Sequence, residues 1–293
     1  MRYLVVTGGA GFIGTHLIEK LLKETNYKLI SLDNYSSGSK SNHIKNRRVK
    51  YLKADTKDID RVFKSLKKKI NTIFHFGEFS RIAHSFKEPE KCFSSNILGS
   101  LQVINFCLKN KIKIVYSATS ASLGNNENDR HLSPYAYSKS SNMNLILNYE
   151  RWFGLKNEII YFYNVYGPKQ IKNSKMSAVF GIFEQSYINK KPIPVVMPGS
   201  QTRRFTHVDD TVQTCYNAWK KNKNRHYAII NTKSYSIFAL ARLFKNDLKM
   251  IPERPGERFE SKIINSIRGK KIHNIYTRDK VQKYIKSFKQ SLK

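Results

Sequence analysis

Tyr135 and Lys139 stand four residues apart in Tyr-Ala-Tyr-Ser-Lys, a spacing that puts a phenol and an ammonium one turn apart on a single helix face. A positive charge beside a phenol favours the phenolate, so Tyr135 can serve as a general base near neutral pH. In a chain rich in Tyr and Lys the spacing alone says little, and its position gives it weight. It follows the fifth-strand region YSATSASLG, and strand ends on this edge of a doubly wound sheet line the ligand crevice. The second pattern is TGGAGFIG, placed after a short β-rich run and before a periodic apolar stretch. Gly8, Gly11 and Gly14 there allow a tight turn whose backbone N–H groups face a pyrophosphate at a helix N-terminus. About 20 residues on, Asp33 ends the second strand, where a carboxylate accepts from the adenine ribose hydroxyls and repels a ribose phosphate, favouring NAD over NADP. Phe12 and Ile13 in the turn, Asn34 beside Asp33, Phe76 after the fourth strand, and Asp55, facing the adenine amino group, complete the expected cofactor set.

Those residues need a frame, and the chain alternates to provide one. Strands are expected at 2–7, 28–33, 49–53, 72–76, 112–117 and 157–163. Helices are expected after the glycine turn and at 59–66, 96–108 and 135–153, the last entered through Ser133-Pro134. Apolar strands alternating with helices imply an α/β fold, a doubly wound parallel sheet covered on both faces. Residues 1–165 form the expected Rossmann domain. Residues 166–293, broken by Pro192, Pro194, Pro198, Pro252 and Pro255, are read as a smaller substrate-covering lobe with too little regular structure for a core of its own, with segments that can return to the main sheet.

The 293 residues include 53 Lys and Arg against 21 Asp and Glu, a net charge of +32. Such a charge first suggests a polyanionic partner. The lysines, however, are spread along the whole chain and accompanied by Asn and Ile, which argues for a solvated surface and against a nucleic-acid interface. Cys92, Cys107 and Cys215 have no metal-ligand spacing and an odd count, as expected of buried thiols in a reducing compartment. No metal site is expected. With no apolar run of bilayer length and a strand beginning at Arg2, neither a membrane span nor a signal peptide is expected, and the location implied is cytoplasmic.

Taken together, TGGAGFIG, Asp33, Asp55, FHFGE at 74–78, Asn96, SATSASLG at 117–124, PYAYSK at 134–139, YNVYGP at 163–168, RRFTHVDD at 203–210 and RPGE at 254–257 resemble the extended short-chain dehydrogenase/reductases. Within these, the chain is similar to the nucleotide-sugar epimerases and dehydratases, the UDP-glucose 4-epimerases among them, over nearly its whole length. The resemblance implies that Thr119 hydrogen-bonds the sugar hydroxyl being oxidised, Tyr135 removes its proton, and Lys139 lowers the Tyr135 pKa and binds the nicotinamide ribose. NAD then accepts the hydride. It further implies that Asn164, Arg203 and Arg254 bind the substrate diphosphate, bidentate contact with phosphate being an arginine property, and that Asn96 orders the active-site backbone. A homodimer joined through helices 96–108 and 135–153 is implied as well, with Leu101, Ile104, Leu145 and Leu147 at the interface or turned to the sheet.

Epimerase and dehydratase share the first oxidation at C4. A 4,6-dehydratase then needs an acid/base pair, and relatives of that type carry Asp-Glu after the threonine, where this chain has Ser120-Ala121. The expectation is therefore a 4-epimerase serving polysaccharide or glycan precursor synthesis. Glu78 is the departure, since it replaces a small residue where a carboxylate is costly unless paired or used. Either it pairs with Arg81, or it is the acid/base of an unusual dehydratase. A third reading, from a different class, is a non-catalytic NAD-binding protein that uses its basic surface for nucleic acid.

Overall fold

A computed structural model describes residues 2–172 and 174–292. The first strands are β1 (Tyr3–Thr7), β2 (Lys28–Asp33), β3 (Val49–Lys53), β4 (Ile70–His75), β5 (Lys113–Thr119) and β6 (Asn157–Phe162). Then come β7 (Asn164–Tyr166), β8 (Ile193–Val196), β9 (Thr202–His207), β10 (His226–Asn231), β11 (Ser234–Ser236), β12 (Leu248–Ile251), β13 (Ser266–Ile267) and β14 (Lys270–Thr277). Among the described residues the largest sheet has nine strands in the order β13-β14-β10-β6-β5-β4-β1-β2-β3. Every pairing in it is parallel except β13 with β14.

The chain moves outward from β1 to β2 and β3, then crosses back to β4 and continues the other way. This reversal leaves a crevice at the carboxyl ends of β1 and β4, the position where open α/β sheets bind ligands. Strands β2, β4 and β5 are buried almost throughout, as required of a sheet covered on both faces. On one face pack Phe63, Val103, Ile104, Met143 and Ile146. On the other pack Leu17, Ile18 and Leu21 from the Phe12–Glu24 helix, with Val212, Cys215 and Ala218 from the Val208–Lys221 helix. β10, β13 and β14 belong to this sheet although they come late in the chain.

The lobe corrects one expectation, because it does have a core. Tyr166, Phe180, Phe183, Phe205, Phe244 and Phe288 form a separate buried cluster with Ile193, Val195 and Val281. Large aromatic rings bury enough area per residue to make up for the short elements. The Val281–Gln290 helix closes this cluster through Val281, Ile285 and Phe288.

Two local differences have physical causes. The helical run expected to begin at residue 96 starts at Pro89, a favoured first-turn position, and passes through a π-helical segment, Ser94–Gly99, before the Ser100–Lys109 helix. Ile104, considered for a subunit interface, is fully buried against the sheet, and Leu145 and Leu147 pack partly buried on the same core. The exposed apolar residues of those helices are instead Phe93, Leu98, Tyr137, Trp152 and Phe153.

Candidate active site

A cavity of about 610 Å³ opens at the crevice, lined from both the sheet and the lobe. At one end is the glycine turn. Gly8 has φ +69° and donates its N–H to the Leu32 carbonyl at 2.8 Å. A Cβ on Gly8 would come within 2.9 Å of the Gly77 backbone, and one on Gly14 within 2.1 Å of the Gly8 carbonyl oxygen. The backbone is thus bare where β1, the following helix and the loop after β4 meet. No side chain caps the helix that begins at Phe12, so its first N–H groups remain available to an anion.

Asp33 lies at the end of β2, with its carboxylate accepting from the N–H groups of Ala10 at 3.0 Å and Tyr35 at 2.8 Å. Burial pushes its pKa up, against those two backbone hydrogen bonds. Gly8, Gly11, Phe12, Ile13, Gly14, Asp33, Asn34 and Phe76 all line the cavity. Asp55 is not among the lining residues, although its neighbours Ala54 and Thr56 are. Its carboxylate accepts from the Lys57 N–H at 3.0 Å, capping the turn Thr56–Asp58, and from Asn34 Nδ2 at 3.1 Å. A backbone cradle that a Cβ would fill, with a carboxylate at the neighbouring strand end, fits a dinucleotide.

Thr119, Tyr135 and Lys139 also line the cavity. Thr119 ends β5 and caps the next helix, accepting from the Ala121 N–H at 3.3 Å. Tyr135 is the second residue of the Pro134–Phe153 helix, whose start is held by Ser133 Oγ accepting from the Ala136 N–H at 3.0 Å. Burial pushes the Tyr135 phenol up to about 12, Thr119 pulls it down, and Glu78 adds to the rise.

One expectation is corrected at Glu78. It does not pair with Arg81, whose guanidinium donates to the backbone carbonyls of Met176 and Ser80. Glu78 points inward and pairs with Lys139. Its Oε1 also accepts from Ser100 Oγ at 2.9 Å, Tyr116 OH at 3.1 Å and Asn142 Nδ2 at 2.9 Å. Lys139 further donates to the Ser117 carbonyl and lies 4.3 Å from the centre of the Tyr116 ring. Its charge is therefore paired with that of Glu78, while the raised Tyr135 pKa comes first from burial, with Glu78 adding to it.

Asn96 lies within the π-helical segment, fully buried, and holds the loop that carries Glu78. Its Oδ1 accepts from the Phe79 N–H at 2.7 Å, and its Nδ2 donates to the Phe79 carbonyl at 3.1 Å and Ser138 Oγ at 3.0 Å.

The cavity is also lined by Asn164, Arg203 and Arg254, together with Arg81 and Arg258, for which sequence reasoning assigned no ligand role. Arg203 donates to Glu257 at 2.6 Å. Arg258 donates to the carbonyl and Oγ of Ser120, both at 3.0 Å. Burial lowers the pKa of Arg258 and the Arg203 charge lowers it further, so an anion placed between the two guanidiniums relieves their repulsion. The only signal for Arg258 was its place four residues after Arg254 in Arg-Pro-Gly-Glu-Arg.

Residues 4–231 match the family described as "NAD dependent epimerase/dehydratase family". A putative UDP-glucose 4-epimerase of Methanocaldococcus jannaschii is 30% identical over 257 residues, spanning 84% of this chain and 82% of that protein. UDP-glucuronic acid decarboxylase 6 of Arabidopsis thaliana is 26% identical over 281 residues, spanning 87% of this chain and 78% of its own. The structure of UDP-N-acetylglucosamine 4-epimerase from Methanobrevibacter ruminantium M1, in complex with UDP-N-acetylmuramic acid, is similar with a TM-score of 0.83 at 27% identity over 99% of both chains. Cradle, strand-end carboxylate, Thr-Tyr-Lys set and sequence agree: the chain belongs to the NAD dependent epimerase/dehydratase family, and NAD is its cofactor.

Proposed function

We propose that the chain is a 4-epimerase of a nucleotide-diphosphate sugar, acting through a transient 4-keto hexose. Bound NAD supplies the hydride acceptor and donor. Thr119 orients the C4 hydroxyl and Tyr135 takes its proton, returning it when the ketone is reduced from the opposite face. The Gly8–Gly14 turn, Asp33 and Lys139 hold the dinucleotide. Asn164, Arg203, Arg254 and Arg258 hold the diphosphate, leaving the sugar free to turn.

One observation carries this reading over water elimination: every carboxylate that lines the cavity is already engaged. Asp33 accepts from two backbone N–H groups, Glu257 is paired with Arg203, and Glu78 accepts from four side-chain donors. None is free to take a proton from C5 or to protonate a departing C6 hydroxyl. Ser120, which follows Thr119, has its Oγ occupied by Arg258.

The test is incubation of the purified protein with UDP-, GDP- and dTDP-hexoses and N-acetylhexosamines, followed by mass spectrometry and chromatographic separation of isomers. An isomer of unchanged mass is expected, with Tyr135→Phe lowering turnover by about 10²–10⁴-fold. Loss of one water, or of carbon dioxide from a hexuronate, would overturn the epimerase reading.

A further inference from the structure

Glu78 stands where a carboxylate has no place in the proposed chemistry, yet it is more thoroughly held than any other acid lining the cavity. All four side-chain partners are donors. The hydroxyl of Ser100, the hydroxyl of Tyr116 and the amide of Asn142 converge on Oε1, while the Lys139 ammonium meets Oε2. The Lys139 ammonium and the Asn142 amide N–H can only donate, so on both of its oxygens the carboxylate meets a group that requires an acceptor.

The direction of these hydrogen bonds is set from behind the site. Thr7 Oγ1 accepts the N–H groups of Phe76 at 3.0 Å and Gly77 at 2.9 Å, so its own proton goes to His75 Nδ1 at 2.8 Å. His75 Nε2 then carries the hydrogen and donates to Ser100 Oγ at 2.8 Å, and Ser100 donates onward to Glu78. Burial lowers His75 to about 4, which keeps it neutral with a single assigned tautomer. Burial pushes Glu78 up, but the Lys139 charge and the donated hydrogen bonds outweigh it and hold the carboxyl below its ordinary range.

Lys139 gives one proton to Glu78 and one to the Ser117 carbonyl. The third is left on a residue that lines the cavity. The other groups facing the pair are His75 from β4, Tyr116 from β5, Cys92 from the Pro89–Phe93 helix and Tyr135 from the Pro134–Phe153 helix, and Arg81 from the loop after β4 faces Tyr135. Arg81 acts on Tyr135, whose pKa it lowers, and donates to backbone carbonyls, while Glu78 is the carboxylate that compensates Lys139.

We propose that Glu78 is a positioning residue of this site: its carboxylate holds the Lys139 ammonium against the cavity wall, and its negative charge cancels that of Lys139 where Tyr135 would otherwise feel it. The proposal deepens the epimerase reading by accounting for the protonation state of its base, and it also stands on the unliganded chain alone. Glu78 neither takes nor gives a proton in the reaction.

The test uses the full chain without substrate. Ionisation of Tyr135 is read as the tyrosinate absorbance lost on Tyr135→Phe, in the parent and in Glu78→Gln. The expected result is a downward shift of about one pH unit or more in Glu78→Gln, with Glu78→Asp close to the parent. Thermal unfolding should show the double variant Glu78→Gln with Lys139→Met to be more stable than either Glu78→Gln or Lys139→Met alone, because removing both charges leaves neither one buried alone. Should Glu78→Gln fail to fold, its recovery by Lys139→Met is that same coupling. Tyr135 titrating identically in parent and Glu78→Gln, or a double variant no more stable than the single ones, would overturn the proposal. Neither measurement involves turnover, so failure to form an isomer would count against the epimerase reading alone.

Discussion

The sheet carries a buried lysine–carboxylate pair at each end. At the amino end, Lys113, the first residue of β5, donates to Glu158 on β6 at 3.0 Å. At the carboxyl end, Lys139 pairs with Glu78. Both acids are almost fully buried, and the difference lies in what else they bind. Glu158 accepts three backbone N–H groups, those of Lys223, Asn224 and Arg225, at 2.7–3.1 Å. It thereby fastens the entry to β10, the late segment that joins the sheet. Lys113 spends its other protons on the Trp219 carbonyl and Asn222 Oδ1. The amino-end pair is therefore closed on backbone, with nothing left for a ligand. The carboxyl-end pair is held by side chains, and its lysine lines the cavity. One chemical pair serves two purposes according to whether its remaining valences meet backbone or open space.

Glu158→Ala tests that contrast with the largest effect. It leaves the Lys113 ammonium and three N–H groups without their acceptor, which should cost about 3–5 kcal/mol of stability. Chemical denaturation measures the loss. Turnover per folded molecule and Tyr135 ionisation should match the parent. A variant within 1 kcal/mol of the parent, a threshold set by the ordinary hydrogen-bond contribution of about 1 kcal/mol, would mean that the amino-end pair does not fasten β10.

Acid should loosen both ends at once, because each has a buried histidine. His75 ends β4 and His226 begins β10, and burial lowers each to about 4 from 6.5. The unfolded chain takes up a proton on each near 6.5 and the folded chain does not. The stability is therefore fully present above about pH 6.5 and falls as the pH drops towards 4, by about 3 kcal/mol for each histidine. Unfolding free energies measured between pH 7 and pH 5 should fall less steeply in His226→Gln, and equally so in His75→Gln. The second variant should in addition disturb Tyr135, since only His75 leads to Glu78. Unchanged slopes in both variants would assign the acid sensitivity elsewhere.

How far the site could be read from sequence divides along similar lines. The glycine turn, Asp33, Thr119, Tyr135 and Lys139 sit in contiguous motifs where neighbours along the chain decide the geometry, and all of them line the cavity. The partner of Glu78 could not be read that way. Arg81 is close in sequence, whereas Lys139 is 61 residues on, brought there by the packing of the Pro134–Phe153 helix over β5 and β6. The core of the lobe was missed because it rests on seven buried aromatic rings from scattered short elements, which have no periodicity to read. Asp55 follows a recognisable pattern but is turned into its own cap.

The smallest expected effect concerns how the lobe is tied to the carboxyl end. Arg258 reaches from the lobe to Ser120, just past Thr119, with one guanidinium nitrogen on the carbonyl and another on the hydroxyl. Lysine at this position keeps the charge but cannot span both oxygens and an anion together. Arg258→Lys should therefore raise KM for the nucleotide sugar about tenfold, equivalent to about 1.4 kcal/mol, with a smaller change in kcat, as steady-state kinetics would show. The corresponding exchange at the amino end, Lys113→Arg, should change stability only, because no ligand reaches that pair. If Arg258→Lys lowered kcat and left KM alone, the residue would act on the placement of Thr119 rather than on the diphosphate, and the carboxyl end would be organised from the lobe as well as from Glu78.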